Sequence, residues 1–99
     1  MRARPGQLFW ASEELKLICT SGFGQVKRKS LGRPVWSKVP RGTIALFLKD
    51  TANTKQTFKS RIHRGYWLLI GEKIYLYVGW ATDFGPGSFW EPVKYEQNN

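Results

Sequence analysis

The stretch RGYWLLIGEKIYLYVGW, residues 64 to 80, constrains the fold most. It is two short apolar runs, YWLLI and KIYLYV, joined through Gly71-Glu72-Lys73. Runs this short, rich in aromatic and β-branched residues, read as strands, and a three-residue link containing glycine reads as a hairpin turn. Strand alternation on the second run puts Ile74, Leu76 and Val78 on one face and Tyr75 and Tyr77 on the other. The aliphatic face is expected to point inward. Tyr75 and Tyr77 are then expected outside, as an aromatic platform or packed under the N-terminal strand or a neighbouring subunit. Tyrosine suits such a half-wet position because its ring is apolar and its hydroxyl polar.

The rest of the chain is cut by glycine and proline too often for long helices. QLFWA (7–11), LKLICT (15–20), PRGTIALFLKD (40–50), FKSRIH (58–63) and FWEPVKY (89–95) are further strand candidates, with a turn at Ser12 to Glu14. The expected core is Ile44, Leu46, Leu48, Leu69, Ile74, Leu76 and Val78. Residues 21–39, with three glycines, one proline and five basic residues, read as a long basic loop anchored by Val35 and Trp36. The 99 residues suffice for one domain, with residues 1–5 and 96–99 expected to fray. Five or six short strands in a chain this size predict an all-β fold, a small closed or nearly closed barrel, because an open sheet would leave long unprotected edges.

The order of these elements resembles a known family. A glycine-opened strand, GTIALFL, then a variable connector, then YWLLIGEKIYLYV, a turn, and a closing strand ending in EPV is similar to the small SH3-like barrel proteins, in particular short uncharacterised proteins of tailed bacteriophages. The resemblance covers about residues 40 to 93. The chain departs from that pattern in its 21–39 segment and its additional N-terminal strand. The resemblance implies an SH3-like barrel, and with it a virion component or a small phage protein that docks on a viral or host protein. It carries no catalytic signature.

Charge gives the main functional indication. The chain has a net charge of +9, and it is unevenly placed. Between Lys27 and Arg64 lie eleven basic residues and one acid, Asp50, a net of +10, while the remainder holds five basic and six acidic residues, a net of −1. Charge concentrated in this way favours a local anionic contact over a uniformly cationic surface.

Catalytic constellations are not evident. The chain has one histidine, His63, and one cysteine, Cys19, too few for a closed zinc site, and Cys19 is expected to face the core beside Leu15 and Leu17. The acids form no acid/base couple and no carboxylate cage. GFGQ (22–25) lacks the spacing and the Gly-Lys-Ser/Thr ending of a phosphate loop. No enzyme activity, metal or cofactor is expected. No run approaches the roughly 18 to 20 apolar residues that span a bilayer, and MRARPGQLFW lacks the apolar stretch of a signal peptide. No membrane partner is expected. The location is read as intracellular, which is the host cytoplasm for a viral protein, or the virion.

Two features point to surface binding. VKRKSLGR (26–33) is a basic cluster of the kind that contacts phosphates. KSRIHRGYW (59–67) interleaves basic residues with Tyr66 and Trp67, and such residues can pair with phosphates while stacking on exposed bases. The expected nucleic-acid-binding residues are Lys27, Arg28, Lys29 and Arg33 together with Lys59, Arg61 and Arg64, converging on one surface. Tyr66, Tyr75 and Tyr77 are the aromatic candidates. The alternative partner is an acidic protein surface, since an aromatic surplus serves a protein interface equally well.

Overall fold

The structure is a computed structural model and describes residues 3–22, 25–29, 32–50 and 64–94. The described chain is all-β apart from one short 3-10 turn. Its strands are β1 (Leu8–Ala11), β2 (Leu15–Gly22), β3 (Gln25–Val26), β4 (Trp36–Val39), β5 (Ile44–Asp50), β6 (Arg64–Ile70), β7 (Lys73–Gly79) and β8 (Trp90–Pro92), with the 3-10 turn at Ala81–Asp83. The described residues form eight strands where five or six were expected, because the 21–39 segment supplies β3 and β4. The expected FKSRIH strand and the C-terminal tail lie outside the described residues. Of residues 1–5, expected to fray, Arg4 and Pro5 enter a turn closed by Gln7 N–H donating to the Arg4 carbonyl, and Ala3 packs against the core.

The strands form one antiparallel sheet in the order β3-β2-β7-β6-β5-β1-β8, with β4 also paired to β2. Among the described residues the two ends of this ladder are not hydrogen-bonded to each other, so the sheet they form is not closed. The β6–β7 hairpin runs unbroken from Arg64 opposite Gly79 to Ile70 opposite Lys73. Its connection is therefore the pair Gly71-Glu72, one residue shorter than expected. Gly71 has φ 62, and among the described residues none other than glycine has positive φ. That is the pattern of a type II′ turn, whose twist matches the flanking strands.

The register between β5 and β6 shifts at Leu48, where Phe47 faces Leu68 and Lys49 faces Trp67. An extra residue in one strand bends it and increases the local twist. The concave face so produced gathers Phe9, Ala11, Leu15, Leu17, Val39, Ala45, Phe47, Tyr66, Leu68, Tyr77, Phe84 and Trp90 into one buried cluster drawn from both ends of the sheet.

This is the opposite face from the one expected. On β7 it is Tyr77, with Tyr75 partly buried beside it, that packs in the main core. Ile74, Leu76 and Val78 belong to a smaller cluster on the outer face, built on Ile18, Trp67 and Leu76. On β5, Ala45 and Phe47 point inward, while Ile44 is 49% exposed. Of the expected core residues only Leu76 is fully buried; Leu46, Leu48, Leu69, Ile74 and Val78 are partly buried. Alternation separates the two faces of a strand but does not say which is concave. Both faces here are apolar, and the space enclosed by the curled sheet is filled by rings rather than by branched aliphatic chains.

Phe84 lies at the centre of that filling. Its ring centroid is 4.9 Å from that of Tyr66, 5.2 Å from Phe9, 5.4 Å from Phe47 and 5.8 Å from Tyr77, and it stacks on Trp90 at 6.3 Å. The residue before it, Asp83, is a buried acid. Its Oδ2 accepts from the Tyr77 hydroxyl at 2.7 Å and from the Trp80 backbone N–H at 2.9 Å. The chain at Gly79 passes so close to the Asp83 carboxylate and the Tyr77 ring that a Cβ there would overlap both. Burial, and secondarily the bond to Asp83, raises the Tyr77 hydroxyl far above its ordinary pKa of 10.0.

Two expectations follow. Phe84→Ala should cost about 3–5 kcal/mol in denaturant unfolding, and Leu46→Ala, which truncates a partly exposed side chain, less than about 2 kcal/mol. The reverse order would contradict the inward assignment of the rings. For Tyr77, the folded-state pKa lies above the unfolded one, so its contribution is complete below pH 10.0 and is lost as pH rises beyond it. Tyr77→Phe should be less stable near neutrality by about 1–3 kcal/mol, from the bond lost to Asp83. Its stability should also fall less steeply than the parent's above about pH 10. Parallel pH curves in denaturant titrations would contradict this.

Candidate nucleic-acid interface

The segment expected to be a long basic loop is paired wherever it is described. β3 and β4 both lie along the same edge of β2. Thr20 faces Val26 and Gly22 faces Gln25, while Leu15 to Ile18 face Val39 to Trp36. Between these two ladders the chain leaves the sheet and returns as a hairpin. The exit is a closed ring of three backbone hydrogen bonds. Cys19 N–H donates to the Val35 carbonyl at 2.8 Å, Val35 N–H to the Lys27 carbonyl at 3.0 Å, and Lys27 N–H to the Cys19 carbonyl at 2.9 Å. The unpaired polar groups a loop would leave on the β2 edge are thereby satisfied, which is the physical reason the described residues of this segment pair as they do.

Beyond the junction the two arms continue to pair. Arg28 is bridged to Pro34, and Lys29 N–H donates to the Arg33 carbonyl at 2.7 Å. Gly32, at φ 78, returns its N–H to the Lys29 carbonyl at 2.8 Å, and Arg28 Nη1 donates to the Gly32 carbonyl at 2.9 Å. Partners in an antiparallel ladder share a face, so Lys27, Lys29 and Arg33 lie on one side of the ribbon and Arg28 on the other. All four are exposed. The sequence has no acid between Glu14 and Asp50, so the hairpin carries its positive charge without internal compensation.

Four of the expected binding residues, Lys27, Arg28, Lys29 and Arg33, are thus brought together on one hairpin. Lys59 and Arg61, like His63, lie outside the described residues. Arg64 opens β6, and its side chain also lies outside them. The aromatic candidates are placed differently from the expectation. Tyr66 and Tyr77 are buried among the core rings, and Tyr75 packs partly buried against them. Their hydroxyl-bearing rings fill the concave space that the curled sheet encloses, so they form no outer platform.

Trp36, expected as an anchor to the core, is instead an exposed aromatic at this end of the sheet. It directly follows the junction residue Val35 and is 51% exposed. Trp36 faces Ile18 across the β2–β4 ladder, and the next pair on the same face is Lys38 opposite Lys16. Lys16, Trp36 and Lys38 together line an open concavity of about 420 Å³. Lys38 Nζ lies 3.8 Å from Glu14 Oε1, with both side chains exposed. The signal for this cluster is present in the sequence as the alternations Lys16-x-Ile18 and Trp36-x-Lys38. It becomes readable only once residues 36–39 are recognised as a strand pairing with β2.

Among the described residues no cluster of histidine, cysteine and acidic side chains is assembled that could hold a metal. No helix among them is long and apolar enough to cross a membrane. The arrangement offers positive charge on a projecting ribbon and an exposed indole at its foot. Comparison with protein-family models, with curated proteins and with solved structures gives no match.

Proposed function

We propose that this protein is a non-enzymatic binding module that contacts nucleic acid through its basic hairpin, with little sequence preference. The observation that carries the reading is the placement of Lys27, Arg28, Lys29 and Arg33 on one hairpin held by its own backbone bonds. A two-stranded ribbon fits the major groove of a duplex, and its cations lie where they neutralise phosphates. Lys59, Arg61 and Arg64 belong to the same proposal as further phosphate contacts. The SH3-like architecture, the kinship with small proteins of tailed bacteriophages, and a location in the host cytoplasm or the virion belong to it too. The curled antiparallel sheet supports the architecture alone, while the kinship rests on the order of GTIALFL, YWLLIGEKIYLYV and EPV along the chain and the location rests on that kinship.

A second reading, a phage structural or protein-interaction module, is favoured by the outer face of β5, where Ile44 is 49% exposed. Salt separates the two. Contacts with phosphates weaken steeply as salt rises, because each neutralised phosphate releases counterions, whereas an apolar contact is nearly indifferent to salt.

The test is a salt titration of binding to a labelled oligonucleotide. Each phosphate-contacting cation removed from the hairpin should make the slope of log K against log salt shallower by about one unit, with no change in sequence preference. The triple variant Lys27→Ala, Arg28→Ala, Lys29→Ala should bind markedly more weakly at low salt. If it keeps its fold by circular dichroism and binds as tightly as the parent, the hairpin is not the contact surface.

A further inference from the structure

We infer that Lys16, Trp36 and Lys38 form a base-stacking subsite for single-stranded nucleic acid at the foot of the hairpin. The inference rests on the nucleic-acid reading and adds to it a second contact, one that takes an unpaired strand. Trp36 carries it first. Tryptophan is highly buried on average, yet this indole is 51% exposed on a regular strand, while Trp67 and Trp90 are buried and Trp80, 46% exposed, lies outside the strands. An exposed indole gives a π-face on which any base can stack, with no need to read its edge.

The lysines supply the second observation. Lys16 and Lys38 stand directly opposite each other across the β2–β4 ladder. Like charges in that position repel, and an anion between them would turn the repulsion into attraction. Glu14 lies near Lys38 only, at 3.8 Å, and both partners of that contact are exposed. An exposed pair of this kind is weak and is readily exchanged for a phosphate. The third observation is shape. The indole and both lysines line one open concavity of about 420 Å³, the size range of small ligand sites. A base on Trp36 therefore has its flanking phosphates within reach of Lys16 and Lys38. A duplex cannot use the site in this way, because its bases are already stacked and paired.

The experiment measures binding of the intact protein to a labelled oligothymidylate of about 12 nucleotides and to a duplex of the same length at matched salt. Trp36→Ala should weaken oligothymidylate binding by roughly 5- to 150-fold, the range measured for loss of a stacked base, and leave duplex binding unchanged. Trp36→Phe should keep most of the single-strand affinity. Lys16→Gln with Lys38→Gln should flatten the salt slope on oligothymidylate by about 1.4 units. The inference is overturned if Trp36→Ala binds oligothymidylate as the parent does, or if it loses single-strand and duplex binding equally. In the first of these outcomes the proposed hairpin contact stands, provided the hairpin triple variant is weakened. Failure of the parent to bind either probe at low salt overturns both readings.

Discussion

The packing of five rings around Phe84 is the interaction on which the rest of the sheet depends. The ladder of strands is open, so backbone hydrogen bonds alone do not hold its two ends together. Phe84 comes from the turn after β7, yet it touches Phe9 from β1, Phe47 from β5, Tyr66 from β6 and Trp90 from β8. One side chain thus contacts strands from most of the width of the sheet and keeps it curled. Edge-to-face ring pairs of this sort contribute about 0.5–1.5 kcal/mol each beyond the area they bury. The buried Asp83 carboxylate sets the approach of the turn, because it ties Tyr77 on β7 to the Trp80 backbone just before Phe84. The absence of a side chain at Gly79 leaves room for that contact.

A second constraint decides where the positive charge goes. β2 carries β7 on one edge and divides the other between β3 and β4. At Cys19, where the division falls, the edge is capped by the ring of bonds among Cys19, Lys27 and Val35. Each of the three residues gives one bond and takes one, so the hairpin leaves the sheet with no backbone group stranded at the exit. The same junction places Trp36 immediately beside it and aligns Lys38 with Lys16. The basic ribbon and the exposed indole are therefore fixed by one local arrangement of main chain rather than by side-chain packing.

Several parts of this were legible in the sequence. The hairpin at 64–80, the strands near 8–11, 15–20 and 44–50 and the all-β class all follow from alternation and from glycine placement. The face assignment did not follow. On β7 the two candidate sets were Ile74, Leu76, Val78 and Tyr75, Tyr77, and hydropathy favours the first. The curl of the sheet favours the second, because Tyr77 has the volume to reach Phe84 and a buried acid to receive its hydroxyl. That acid, Asp83, sits in a turn-rich stretch that offered no sign of its burial. The basic residues of 27–33 were identified by composition. Their pairing as a ribbon was hidden because the partner of each arm is mainly the other arm and a single residue of β2, a pattern with no hydrophobic period to read.

The distribution of charge joins these two constraints. The inner face of the sheet is occupied by rings and admits no cation, and much of the outer face is taken by the cluster around Ile18, Trp67 and Leu76. Among the described residues, Lys27, Arg28, Lys29 and Arg33 lie on the hairpin and Lys38 on the β2–β4 ladder. Gathering them there raises their mutual repulsion, most plainly for Lys16 facing Lys38, and Glu14 relieves it at one point only. An exposed ribbon in water tolerates that repulsion, since solvent and salt screen charges a few ångströms apart far better than a protein interior does. The arrangement is therefore stable enough to persist without a partner, while an anion laid along the hairpin and across Trp36 would remove the repulsion that remains. On the proposed reading a polyanion would need no rearrangement of the fold to bind, because the backbone that carries these cations is already paired.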